Sequence, residues 1–214
     1  MMPTIFDLHM HTSRHSPDSV INPFSLMHRA RDLKLDGIVI TEHDFLWTEG
    51  ELGELRAAVP QVMVFGGVEV SAKEGHFLCY GVTDPLRLPM GIGVAELCRE
   101  VHRQGGAVIA AHPNRWNQPF NDILAEQKPE LDGVEVMSNN MDVDLRQKAS
   151  ELWKSRPWTG LGNSDAHVEE TVGVCYTEFK DAIRDQRDLI DALRGGSTIP
   201  HDRLLEKGHV AVVS

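Results

Sequence analysis

The sequence predicts an α/β fold: a parallel sheet covered by helices, with enough strands to favour closure into a barrel. Two observations predict it. Eight short runs rich in Val and Ile are bounded by Gly, Pro, Asn or Asp, as strands are. Stretches of helical periodicity fall between them, and alternation of this kind builds parallel sheets with helical covers. Seven or eight such units favour a closed barrel over an open sheet, although alternation alone leaves closure open. A length of 214 residues suits one domain, 1–214.

Taken in order, Thr4–Leu8 reads as the first strand. Asn22-Pro23 then supplies a cap followed by proline at the first helical position, and Leu26, Ala30 and Leu33 keep one face apolar. Gly37–Thr41, Val62–Val70 and His76–Val82 read as the next three strands. Val94, Leu97, Cys98 and Val101 follow the i, i+3, i+4, i+7 spacing of a buried helical face, and Gly105-Gly106 stops that helix. Ala107–Ala111 and Gly133–Met137 are strands, Asp142–Lys154 a helix, and Thr159–Asn163 and Gly173–Phe179 strands. A helix over Gln186–Arg194 ends at Gly195-Gly196, and His209–Val213 offers a final strand.

Composition narrows the function. Apolar residues make up 41% and charged residues 25%, with mean hydropathy −0.26, which excludes a disordered chain. The balance of 21 basic against 32 acidic residues gives a net charge of −11, a poor basis for an extended nucleic-acid or membrane surface. No apolar run approaches the roughly 18 residues of a membrane helix. The start, Met1-Met2-Pro3-Thr4-Ile5-Phe6-Asp7, lacks a basic segment followed by an apolar one, so no signal peptide is expected. Three scattered cysteines (Cys79, Cys98, Cys175) build no disulfide framework, and the expected location is cytoplasmic.

The unusual number is 11 His against 2 Tyr. Histidine is the commonest metal ligand, and these histidines fall at strand ends. His9 and His11 follow the first strand, His43 the second, and Glu69 closes the third. His76 opens the fourth, His112 follows Ala107–Ala111, and Asp165 and His167 follow Thr159–Asn163. In a parallel barrel those ends meet at one mouth. His9-Met10-His11 places two imidazoles on the same side of an extended segment, and Asp165-Ala166-His167 repeats the geometry with a carboxylate. Glu69 can bridge two ions through its two oxygens. Such a nitrogen and oxygen donor set suits Zn, Mn or Fe, and its lack of cysteine argues against a structural zinc finger.

At this point the motifs themselves become recognisable. Asp7-Leu8-His9-Met10-His11-Thr12, Ile40-Thr41-Glu42-His43-Asp44, Gly67-Val68-Glu69-Val70-Ser71, Ala111-His112-Pro113 and Gly162-Asn163-Ser164-Asp165-Ala166-His167 resemble, in order, those of the PHP (polymerase and histidinol phosphatase) family of metal-dependent phosphoesterases. The resemblance runs from about Thr4 to about Gly196. It implies a distorted (β/α)7 barrel with two or three divalent ions at the C-terminal ends of its strands. The implied ligands are His9, His11, Asp18, His43, Glu69, His76, His112, Asp165 and His167. In the loop Thr12–Ser19 either Asp18 or His15 fills the ligand position, and the resemblance favours Asp18, because the family often shows Asp followed by a small residue there.

The expected reaction is hydrolysis of a phosphate ester by a metal-bridging hydroxide. Glu69 bridges the ions, and Asp165 or His167 assists proton transfer. Three divalent ions against three carboxylates and one hydroxide leave about +2 in the pocket, which attracts a small anion on an otherwise acidic protein. Arg14, Asn114 and Arg115 follow ligand motifs and are candidate phosphate contacts. The expected substrate is a small phosphomonoester or a nucleotide. The alternatives are an exonuclease acting on short oligonucleotide ends, a metal-binding domain with a non-catalytic role, and hydrolysis of a carbon–nitrogen bond.

Other polar residues read less sharply. Glu42 and Asp44 either orient imidazoles or are solvated loop charges, and Asn139 and Asn140 either reach the pocket or form a turn. Trp47 and Trp116 lie in mouth loops and either contact substrate or pack, with packing expected; Glu135 reads as structural, as do His28, His102, His201 and His209.

Overall fold

A computed structural model describes residues 3–196 and 198–206. Its nine strands are β1 (Thr4–Asp7), β2 (Gly37–His43), β3 (Met63–Ala72), β4 (Gly75–Tyr80), β5 (Ala107–Ala110), β6 (Gly133–Ser138), β7 (Thr159–Asn163), β8 (Cys175–Phe179) and β9 (Thr198–Asp202). They form one sheet in the order β7-β6-β5-β4-β3-β2-β1-β8-β9. The helices are α1 (Pro23–Asp32), α2 (Glu49–Ala58), α3 (Val94–Arg103), α4 (Phe120–Gln127), α5 (Val143–Lys154), α6 (Gln186–Gly195) and the short α7 (Arg203–Glu206).

Local chemistry starts and stops these elements. The Asn22 side chain accepts from the N–H groups of Phe24 and Ser25, with Pro23 where its missing N–H costs nothing. In α3, Val94, Leu97, Cys98 and Val101 are all fully buried, and Gly105 takes φ 82° just beyond the helix. The helices α2 and α4 lie outside the sequence-based expectation. For α2 the signal was present: Thr48 and Glu51 form a reciprocal capping box.

The expectation of a parallel sheet needs two corrections, at β4 and β8. The turn between β3 and β4 is only Lys73-Glu74, with Ala72 paired to Gly75, and so short a link forces an antiparallel hairpin. Strand β4 is also antiparallel to β5, and β8 is antiparallel to both β1 and β9. The remaining seven strands therefore share one direction. Strand β9 carries Pro200, which argues against a central strand, and the structure places it at the sheet edge where proline is tolerated. The segment His209–Val213 lies outside the described residues.

The two ends of the sheet approach each other without completing a backbone ladder. Thr177 Oγ1 accepts from the Gly162 N–H and donates to the Gly162 carbonyl, and Thr198 Oγ1 donates to the Gly160 carbonyl. The inner core contains Phe6, Leu8, Val39, Leu78, Ile109 and Leu161. Leu189, Ile190 and Leu193 of α6 join this core, so α6 plugs the end opposite the strand termini that carry the histidines. Outside the sheet, α1 and α2 pack on Ile38 and Ile40, while α3, α4 and α5 cover β3 to β6. No helix among the described residues is long and apolar enough to cross a membrane. Cys79, Cys98 and Cys175 are free and buried, and burial pushes the Cys98 thiol up to about 12.

Candidate metal centre

The site begins where two loops leave the sheet. After β1 and β7 the chain continues in extended form, and the two continuations pair directly. Asp165 donates its N–H to the His9 carbonyl (2.9 Å) and His11 donates to Ala166 (3.0 Å), with Met10 bridged to Ala166 in parallel. Strands β1 and β7 are not neighbours in the sheet. This short ladder therefore joins the barrel wall at the mouth. Alternation along it sends Met10 and Ala166 into the apolar layer beneath α1 and leaves His9, His11 and Asp165 together on the inner side.

Glu69 stands at the centre. It is buried (1% exposed), and its Oε2 lies 3.2 Å from His9 Nε2, 3.1 Å from His11 Nε2 and 3.1 Å from His43 Nδ1. Its Oε1 lies 2.9 Å from His76 Nδ1 and 3.1 Å from His112 Nε2. Asp165 Oδ1 is 3.2 Å from His9 Nε2 and 3.4 Å from His11 Nε2. Asp18 Oδ2 lies 3.2 Å from His43 Nε2 and 3.3 Å from His167 Nε2. All nine residues expected as ligands thus meet at one mouth. His15 does not. Its Nε2 is 2.8 Å from Glu51 and its ring stacks on Phe45 (3.9 Å), so Asp18 is the member of the first loop beside the histidines.

Hydrogen bonding shows what this cluster is built to hold. His9 Nδ1 faces Glu135 Oε1 at 2.9 Å, so the proton sits on Nδ1 and Nε2 keeps its lone pair. Ser16 donates its hydroxyl proton to Glu42 (2.5 Å), so it accepts from His11 Nδ1 (3.2 Å), and His11 Nε2 is a lone pair as well. His167 Nδ1 donates to the Asp165 carbonyl (3.0 Å), leaving Nε2 towards Asp18. The two lone pairs of His9 and His11 lie 3.2 Å apart, beside Glu69 Oε2, which is buried and takes no hydrogen bond. Electron pairs packed this closely need protons or a cation between them. Donor atoms on a tetrahedral ion, each about 2.0–2.1 Å from it, sit about 3.3 Å apart, which matches the observed spacings. Three overlapping groups bring their ligand atoms within 4.8 Å of one another: His9, His11, Glu69 and Asp165; His43, Glu69 and His76; and His11, His43 and His167. The donor set, with Glu69 common to two of the groups, suits metal binding.

Without ions, protons take their place. Burial opposes charge on His9, but the carboxylates of Asp165, Glu135 and Glu69 outweigh it and hold the imidazolium well above its ordinary range. Burial likewise opposes charge on His43, and the Glu69 and Asp18 carboxylates beside it raise it to about 9. Against their own burial, Glu69 and Asp165 are held below the usual carboxylate range by His9, His11 and His112.

Several groups that sequence reasoning missed or left open hold this arrangement. Glu135, read as structural, is fully buried; besides His9 it accepts from Asn163 Nδ2 (2.8 Å) and the His112 N–H (2.8 Å). Glu42 is not a solvated charge. It is fully buried and accepts from the N–H and hydroxyl of Thr12, from Ser16 and from Trp47 Nε1, fixing the first loop. Asn140 reaches the site, donating to Asp165 Oδ2 at 2.7 Å. Asp7 ties β1 to the last motif by accepting from the Ser164 and Gly173 N–H groups, and burial raises its carboxyl to about 6. An acidic residue within a strand was the available signal for Asp7 and Glu135. Backbone strain also gathers here, with φ at 28° for His112 and 50° for Asp165.

A cavity of about 140 Å³ opens over the cluster, lined by Asp18, His43, Glu69, His76, His112, Arg115, Trp116, Asp165 and His167. Of the three residues expected to touch substrate, Arg115 lines this cavity, with Nη1 3.5 Å from Asp165. Asn114 lines an adjoining groove. Arg14 turns elsewhere, its guanidinium over Trp47 (5.1 Å) and 3.5 Å from Glu54. Trp47 packs as expected, 3% exposed, whereas Trp116 is 64% exposed at the mouth.

Comparison with known proteins agrees with this architecture. A family model described as PHP-associated matches residues 145–198. A two-domain protein from Bacteroides vulgatus, containing a predicted PHP-like metal-dependent phosphoesterase, superposes with a TM-score of 0.73 at 20% identity. The match covers 94% of this chain and 65% of that one, so this chain spans just under two thirds of its length. PsfC from Pseudomonas syringae superposes with a TM-score of 0.71 at 19% identity, covering 98% of this chain and 96% of its own. The lesion-specific endonuclease EndoQ from Pyrococcus furiosus gives 0.66 at 16% identity, over 93% of this chain and 58% of that one. At these identities the likeness to solved structures is one of fold. No curated protein matches the sequence.

Proposed function

We propose that the chain is a member of the PHP family and acts as a metal-dependent hydrolase on a small phosphomonoester, a reading supported by its fold, its PHP-associated segment and its ordered motifs. The observation that carries this reading is the buried Glu69 carboxylate ringed by five imidazoles within 3.2 Å. His9, His11, Glu69 and Asp165 hold one divalent ion, with His43, His76, His112, Asp18 and His167 completing a two- or three-ion site of Zn, Mn or Fe. Ions in such a site lower the pKa of water towards about 7 and draw charge from phosphate oxygens. Arg115 supplies a guanidinium to the phosphate from the cavity wall. Asp165 and His167 line the cavity that would receive the phosphate and would assist proton transfer there, while Asn140 keeps Asp165 aimed inward.

Metal uptake should be linked to pH. His43 titrates near 9 in the ion-free protein, so below that pH an ion must displace its proton. Apparent affinity is expected to rise as pH increases from 6 to 9, with proton release seen as a buffer-dependent heat in titration calorimetry. Affinity flat across this range contradicts the assignment of His43. Glu135 acts one step back, by holding His9 Nδ1–H and the His112 N–H. Glu135→Gln is expected to lower metal affinity or turnover by about 10- to 100-fold, measured by competitive chelation and phosphate release.

The reading itself is tested by elemental analysis of purified protein, followed by phosphate release with Mn, Zn and Fe on a nucleoside monophosphate and a short oligonucleotide. Two or three bound ions with monoester turnover support it. Turnover of the oligonucleotide alone replaces it with an exonuclease, and bound ions without turnover of either replace it with a non-catalytic metal domain.

A further inference from the structure

The cavity over the metal centre, at about 140 Å³, is smaller than the roughly 300–1,000 Å³ of pockets that enclose whole small-molecule ligands. It receives the phosphoryl end of a substrate, and the remainder must lie outside it. Next to the cavity stands Trp116. Its ring centroid is 5.2 Å from that of His76 and 5.5 Å from that of His112, edge-on to both, and the Arg115 guanidinium lies 4.5 Å from it. The residue is held at φ 55°, ψ 34°, a conformation that costs a bulky side chain energy, and it remains 64% exposed. Burial therefore does not explain why an indole is placed here.

Trp116 also borders a larger groove of about 850 Å³. Asn114, Asn117, Gln118 and Asn121 contribute carboxamides to it, each able to donate and to accept hydrogen bonds. Lys148 contributes an ammonium, but Asp144 lies 2.6 Å from it, so this cation is already paired. Asp142, Asp144 and Glu151 line it as well, so the groove combines an aromatic face, carboxamides and a net negative charge, and it suits an uncharged planar ring better than a second phosphate.

We propose that Trp116 is a specificity-determining residue, stacking an aromatic ring carried by the leaving group while the phosphate occupies the metal cavity. This rests on the hydrolase reading above and names the class of ester that the site prefers. Stacking on an aromatic side chain is worth about 1–3 kcal/mol in nucleic-acid complexes, so a preference of about tenfold is expected.

The test compares phenylphosphonate with methylphosphonate by titration calorimetry on the metal-loaded protein, and phenyl phosphate with glycerol phosphate by phosphate release, in the wild type, Trp116→Ala and Trp116→Phe. The wild type is expected to bind phenylphosphonate about tenfold more tightly. Trp116→Ala is expected to bring that ratio close to one, with the change appearing in KM rather than kcat, and Trp116→Phe to keep most of it. The proposal is overturned if the wild type does not distinguish the two phosphonates, if it binds neither, or if Trp116→Ala weakens both by the same factor. Binding selectivity of the expected kind without phosphate release from any ester removes the hydrolase reading and leaves the ring platform standing. Equal kcat/KM for the two esters in the wild type and in Trp116→Ala removes the platform and leaves the hydrolase.

Discussion

His9→Ala and Asp165→Ala are each expected to lose bound metal and phosphate release together, with kcat/KM lower by about 1,000-fold or more. Both residues face Glu69 Oε2 across the same small space, and neither has a substitute in reach. Removing the imidazole leaves Glu135 without the ring it orients, and the centre loses a neutral nitrogen donor fixed in the right tautomer. Removing the Asp165 carboxylate deletes a negative charge from the group that also contains Glu69, and it leaves Arg115 without this acceptor and the Asn140 amide with only the Asp165 backbone carbonyl. Metal content by elemental analysis and turnover should fall in step. His15→Ala is the control: His15 pairs with Glu51 outside the cluster, and its loss should leave metal content intact. Full turnover by a metal-free His9 or Asp165 variant would reject the scheme.

Gly162→Ala is expected to destabilise the fold by about 2–3 kcal/mol, the upper part of the usual range of about 1–3 kcal/mol when atoms are forced into a filled space. A Cβ at Gly162 would lie 2.8 Å from the Tyr176 carbonyl oxygen, 3.0 Å from the His201 nitrogen and 3.1 Å from the His201 carbonyl oxygen. These are backbone atoms of β8 and β9, which cannot rotate away as a side chain would. The clash falls at the barrel seam, where Thr177 bridges to both the N–H and the carbonyl of Gly162. For a chain of this size the melting temperature should fall by about 4–12 °C, measured by scanning calorimetry. Gly53→Ala in α2 is the contrast, because a Cβ there meets nothing within 4 Å. It should be neutral or stabilising by about 0.5–1 kcal/mol. Equal melting temperatures for the two variants would mean that the seam yields at no cost.

Much of this protein was legible as a string. Short apolar runs, the Asn22-Pro23 start and the Val94–Val101 stripe gave the alternation of strands and helices, because burial of one face imposes a period along the chain. Eight of the nine candidate ligands were legible for a related reason, and Asp18 came from the family resemblance. Donors that must meet at one mouth recur at strand ends, and one-in-two spacing marks those that share a side. What only the tertiary structure decided is how separate segments face each other. It set the direction of β4 and β8, the seam between β7 and β8–β9, and the pairing of His9–His11 with Asp165–Ala166. It also separated Asp18 from His15, turned Arg14 away, and drew Glu135 and Glu42 into the support of the imidazoles. Spacing along a chain fixes which side of its own element a residue occupies. The partner it meets across the barrel is fixed by packing among segments that lie tens to more than a hundred residues apart, for which one sequence holds no local mark.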